Sequence, residues 1–100
     1  MDEQAERITR QMEALVRQVE AIEPLKVHAK GGRPYSQSCT VRVLYWLLQD
    51  MRGKPIPWRE VARKLPGVHH TTLLRRYRLW KEQGVVMQVR QLILEHLFTE

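Results

Sequence analysis

Pro57-Trp58-Arg59-Glu60-Val61-Ala62-Arg63-Lys64-Leu65-Pro66-Gly67-Val68-His69-His70-Thr71-Thr72-Leu73-Leu74-Arg75-Arg76-Tyr77-Arg78-Leu79-Trp80-Lys81-Glu82-Gln83-Gly84 is the stretch that decides the fold. Trp58, Val61, Ala62 and Leu65 recur with the i, i+3, i+4, i+7 rhythm of one helix face, and Pro57 stands where a first helical residue belongs. Pro66-Gly67 stops that helix. A second, longer one is predicted from about His70 to Gln83, with Gly84 as its C-terminal stop and Lys81 at the negative end of its dipole. A short helix, a tight glycine turn and a longer basic helix spell helix-turn-helix. At about 100° per residue, Leu73, Tyr77 and Trp80 cluster on one side of the second helix, facing a core. Thr71, Arg75 and Arg78 lie opposite, with Thr72 and Arg76 on a flank.

Outward from this pair, the remaining segments also read as helices, and the fold class is all-α. Ala5, Ile8, Met12, Leu15, Val19 and Ile22 are spaced alternately by three and four residues, the a/d rhythm of a coiled-coil seam, over an expected helix from Glu3 to Glu23. Pro24 closes it. Such a stripe can pair with a second copy through Ile8, Met12, Leu15, Val19 and Ile22, or it can dock on its own domain. Residues 24–38, with Lys30-Gly31-Gly32-Arg33-Pro34, read as a basic Gly/Pro loop. A helix follows to Met51, capped by Ser36 or Ser38 and starting at Cys39 or Thr40. Val41, Val43, Leu44, Trp46, Leu47, Leu48 and Met51 surround most of its circumference, which places it at the centre of the core. The last helix is expected from about Val86 to Phe98. The chain thus divides into an amphipathic helix (1–23), the loop (24–38) and a helix-turn-helix bundle (39–100).

Charge distribution narrows the function. The 100 residues carry a formal net charge of +6. Residues 1–25 hold three arginines against six acids, and residues 82–100 one arginine against three. The intervening stretch holds thirteen Lys and Arg against Asp50 and Glu60. A cationic centre between acidic flanks attracts a polyanion, because neutralised phosphates release condensed counterions. No run approaches the roughly 20 apolar residues that span a bilayer. The N-terminus lacks a signal-peptide pattern, and the single Cys39 forms no intrachain disulfide, so the cytoplasm is the expected compartment.

A helix that buries Leu-Tyr-Trp and exposes Thr-Arg-Arg suits a DNA major groove, where Arg chelates guanine and Thr meets a thymine methyl. Thr71, Thr72, Arg75 and Arg78 are the expected base-reading residues. Lys30, Arg59, Arg63, Lys64, His70 and Arg76 are expected to hold phosphates. Gly32-Arg33-Pro34 lies flat and extended, so Arg33 suits an adjacent minor groove, though a plain linker reads the same way. His69, His70 and Cys39 make a poor metal site, since adjacent histidines do not easily face one ion and a fourth ligand is missing. Cys39 reads as a packed core residue. No cofactor, metal or catalytic residue is expected.

The order Ile22-Glu23-Pro24-Leu25, Gly32-Arg33-Pro34, Val43-Leu44-Tyr45-Trp46-Leu47-Leu48, Pro57-Trp58-Arg59-Glu60, Thr72, Arg75-Arg76-Tyr77-Arg78-Leu79-Trp80 and Gly84-Val85 resembles the N-terminal domain of insertion-sequence DDE transposases, in the family typed by insertion sequence five. The resemblance implies a helix-turn-helix that binds the element's terminal inverted repeats. It also implies that Trp58 and Trp80 are core anchors and that the Arg-rich helix reads DNA. The sequence departs from the family pattern at Lys54-Pro55-Ile56-Pro57 and at Gly67-Val68-His69-His70. DDE chemistry needs three metal-binding carboxylates, and the only aspartates are Asp2 and Asp50, so DNA binding without strand cleavage is the expectation. A stand-alone repressor or domesticated transposase fragment would use the same surface. A protein-interaction adaptor would instead use the helix 3–23.

Overall fold

In the computed structural model, residues 3–22 and 36–97 are described, with the side chains of Ile8 and a few other positions lying outside that description. Five helices make up the described fold: α1 (Glu3–Ile22), α2 (Gln37–Met51), α3 (Trp58–Lys64), α4 (His70–Gln83) and α5 (Val86–Leu97). The protein is an all-helical bundle.

Each boundary has a local cause. Ser36 caps α2, its hydroxyl oxygen accepting from the Cys39 N–H at 3.1 Å. The α2–α3 turn uses Gly53 at φ 77°, and the Trp46 Nε1–H donates to the Ile56 carbonyl at 2.7 Å. Pro57 is the N-cap residue of α3 in extended geometry (φ −63°, ψ 151°), one position earlier in role than the sequence suggests. Its ring contributes a preset φ and no side-chain cap. Glu60 in the first turn of α3, with Arg63 and Lys64 in the last, matches that helix's dipole. Gly84 adopts the left-handed conformation (φ 73°) that ends α4, and Val85 N–H reaches back to the Trp80 carbonyl at 3.0 Å.

Helix α2 is the centre, as its apolar circumference predicts. Cys39, Val43, Leu44, Tyr45, Leu47 and Leu48 are buried along it. On one side it meets α1, which also packs against α5; on the other it meets α3 and α4, which pack on each other. Met12, Leu15, Val16 and Val19 from α1 join Val89 and Ile93 from α5 in the same core as Val61, Leu65, Leu73 and Trp80.

In the structure the α1 stripe docks on its own domain, the second of the two readings that its spacing allows. Met12, Leu15 and Val19 are completely enclosed, and Ile22 packs against the core. The alternating spacing is used by the domain's own α2 and α5, which enclose Met12, Leu15 and Val19, while Ile22 stays half-buried. Ile8 lies outside the described side chains. The same burial removes Leu15 and Val19 as an adaptor surface, and it makes α1 part of the bundle instead of a separate segment. None of the described helices is long and apolar enough to cross a membrane.

Candidate nucleic-acid interface

Helices α3 and α4 present one surface because the core holds both from behind. Leu73 and Trp80 anchor α4 with no exposed surface, and Val61 and Leu65 anchor α3. A three-ring cluster joins them to α2. Trp46 and Trp58 stack at 4.4 Å with 13° between planes, and Tyr77 tilts against both at 4.8 and 5.5 Å. Trp80 is therefore the deep anchor that the family resemblance implies, while Trp58 is half-buried and held by stacking. Burial, with Asp50 nearby, pushes the Tyr77 phenol above its ordinary range, Arg90 opposing. Lys81 lies 5.8 Å from the Tyr77 ring, a distance at which a cation–π attraction operates.

The outer face of α4 carries the expected base readers. Thr71, Arg75 and Arg78 are exposed, and Thr72 is half-buried. Neither the Arg75 nor the Arg78 side chain has a hydrogen bond or ion pair with the rest of the chain among the described residues. Their guanidinium donors are thus directed to solvent. Glu82, in the last turn of α4, is exposed on the same stripe.

At the N-terminus of α4 the two histidines divide their roles. His69 is the N-cap, its Nδ1 accepting from the Thr71 N–H at 3.2 Å and lying 2.8 Å from Thr71 Oγ1. Histidine is outside the usual cap set, and the local acceptor role of His69 had no sequence signal. The His70 ring packs at 4.3 Å on His69. Desolvation, then His69, then Arg59 of α3 hold His70 below the usual histidine range. Arg59 and His70, two expected phosphate ligands from different helices, therefore lie within each other's field.

The other expected phosphate contacts separate. Arg63 is exposed but forks onto Glu60, its Nε at 3.1 Å from both carboxylate oxygens and its Nη2 on Oε1. Part of its charge is already compensated. Lys64 is half-buried. Arg76 is a correction: it is 2% exposed and faces inward. Its Nη1 donates to the Ser36 carbonyl at 3.2 Å, and its guanidinium sits 5.5 Å from the Trp80 ring. The cause is helical spacing, since residue i shares a face with i+4, and burying Trp80 carries Arg76 inside. Lys30 and Arg33 lie outside the described residues.

The α3–α4 turn is held from behind by a residue without a sequence signal. Arg42 of α2 donates from Nε to the Leu65 carbonyl (2.7 Å), from Nη2 to Pro66 (2.5 Å) and from Nη1 to Ser38 (2.9 Å). Gly67 turns beside it at φ 124°, and a Cβ there would stand 3.2 Å from Arg42 Nη2. Cys39 is buried in the core. Among the described residues no group of three His, Cys, Asp or Glu side chains is placed to hold a metal ion. Comparison with protein-family models, with curated proteins and with solved structures gives no match.

Proposed function

We propose that this chain binds double-stranded DNA with sequence preference, laying α4 in the major groove. The observation that carries the reading is the division of α4 into an enclosed side, Leu73 and Trp80, and an open side, Thr71, Arg75 and Arg78. Arg75 and Arg78 offer the fork that matches guanine O6 and N7, and Thr71 offers a hydroxyl and a methyl. Arg59 supplies a cation for a phosphate where α3 approaches the start of α4, and the His70 ring beside it, held toward its neutral form in the free protein, can add a hydrogen bond. Arg63 contributes less, because Glu60 shares its charge.

Within that reading, the resemblance of the ordered motifs to those of insertion-sequence transposases favours a transposon's terminal inverted repeat as the duplex. The action proposed for this chain is recognition of the end, without cleavage.

Selection of bound duplexes from a random pool tests the proposal, followed by titration of the selected duplex and a scrambled one. A selected sequence held at least 10³-fold more tightly than the scrambled duplex, roughly the lower bound for specific binders, supports sequence reading. Recovery of no preferred sequence defeats it.

A further inference from the structure

The turn that orients α4 does not support itself. Helix α3 has only seven residues, and its C-cap, Leu65, leaves helical geometry at φ −129°, ψ 77°. Gly67 follows in a positive-φ conformation. The carbonyls of Leu65 and Pro66, exposed by this irregular backbone, both point at one guanidinium, that of Arg42 on the central helix. The third arm of the same group is fixed on the Ser38 carbonyl of its own helix. All of its hydrogen bonds to described residues go to main-chain carbonyls and none to a carboxylate. Burial draws this guanidinium below the usual arginine range, with Cys39 opposing.

Helix α4 is therefore secured in two places by different means. Its middle and C-terminal half are held by Tyr77 in the ring cluster and by Trp80 in the core. Its N-terminal end, with Thr71 and Thr72, is held by the enclosed Leu73 and by the turn that Arg42 ties to α2. We infer that Arg42 is the positioning residue of the DNA-reading unit, fixing the N-terminal end of α4 against the bundle so that Thr71 and Arg75 meet defined base pairs. This inference rests on the DNA-binding reading above. Lysine cannot replace it: an ammonium is a compact point charge, whereas three carbonyls around one planar fork need arginine's spread of donors.

The test compares Arg42→Lys, which keeps the charge, with Val89→Ala, which opens the core on the far α1–α5 side. Each is titrated with the selected duplex, a scrambled duplex and duplexes altered one base pair at a time, at a temperature where circular dichroism shows full helicity. The expected result for Arg42→Lys is a loss of roughly tenfold on the selected duplex, the order of one bidentate base contact. Scrambled DNA and the salt slope should stay unchanged. The lost preference should fall on the base pairs that Thr71→Ala and Arg75→Ala also affect and spare those read by Arg78. Val89→Ala should melt earlier yet keep its preference. Equal losses on both duplexes, an unchanged preference in Arg42→Lys, or an equal loss in Val89→Ala overturns the inference.

If Arg42→Lys does not fold, nitrogen-resolved NMR of the wild type decides. A slowly exchanging Arg42 Nε–H supports the clamp, and one exchanging at the rate of the Arg75 Nε–H overturns it. A wild-type protein without any preferred duplex sinks the DNA reading itself, a result separate from all of these.

Discussion

Helices α1 and α4 are both amphipathic and both rich in arginine, yet they differ in what balances the charge. On α1, the exposed Arg7, Arg10 and Arg17 are interspersed with the exposed Glu3, Glu13 and Glu20. That mixture makes a solvated face with little net field. On α4, the exposed Arg75, Arg78 and Lys81 meet only Glu82. Apolar burial shows the same division. The α1 stripe ends in complete enclosure and serves the core, whereas α4 is anchored by a few large side chains so that its other side can stay open. Counting arginines does not separate the two helices; where the neighbouring acids sit does.

The largest expected effect tests the α1 half of this contrast. Leu15→Ala should cost about 2–5 kcal/mol of stability, because the side chain is completely enclosed and leaves a cavity. Chemical denaturation measures it. Duplex preference at a temperature where the variant remains folded should not change. A stable Leu15→Ala variant that changes its sedimentation behaviour would restore α1 as a pairing helix.

Two adjacent arginines sharpen the comparison within α4. Arg75→Ala should leave stability nearly untouched and lower affinity for the selected duplex by about 1–3 kcal/mol. Arg76→Ala should instead lower the melting temperature, reflecting the loss of about 1–3 kcal/mol from a buried, hydrogen-bonded charge. Melting curves and titrations on both proteins check this, and a reversal of the two effects would show that the assigned faces are wrong.

A smaller difference separates the arginines of α3. Arg59→Ala should weaken binding to all sequences alike and reduce the salt slope by about one. Arg63→Ala should do less, since Glu60 already engages its guanidinium. The Glu60→Gln variant, which releases Arg63, should tighten non-specific binding slightly. Titrations across a salt series distinguish these outcomes.

The smallest effect concerns pH. In the free protein His70 sits below the ordinary histidine range, first by desolvation and then through His69 and Arg59. Its contribution to stability is complete above the unfolded value of about 6.5 and is lost as pH falls through the lower folded value. A bound phosphate acts in the opposite sense by favouring the charged ring. Binding should therefore take up a proton and tighten a few-fold as pH falls from about 7.5 to about 6. Calorimetry in buffers of different ionisation enthalpy measures the uptake, and His70→Gln should abolish it. A wild type with no proton uptake would place His70 away from the phosphates.

Much of this architecture is legible in the residues because its boundaries are chemical. Ser36, Pro57 and Gly84 act as punctuation whose geometry is local, and α2 announces its central place by being apolar nearly all round. Three features are not legible for equally physical reasons. The alternating spacing in α1 suits either a partner helix or the protein's own core, so spacing alone does not choose between them. Arg75-Arg76-Tyr77-Arg78 reads as one basic run, but the rotation of α4 turns Arg76 toward Trp80 while its neighbours face out. Arg42 clamps main-chain carbonyls, which every residue type supplies, so the sequence contains no partner by which to recognise it. His69 is a milder case, acting as an N-cap through a ring nitrogen.

The most direct test of the central claim is an equilibrium titration of the wild type and the Arg75→Ala/Arg78→Ala double variant against the selected and scrambled duplexes at about 0.15 M salt, where long-range charge effects are screened. The wild type should distinguish the two duplexes strongly. The double variant should bind both with the weak affinity that the wild type shows for scrambled DNA, with its helicity intact. If the folded double variant still distinguishes the duplexes as the wild type does, the open side of α4 is not what reads DNA.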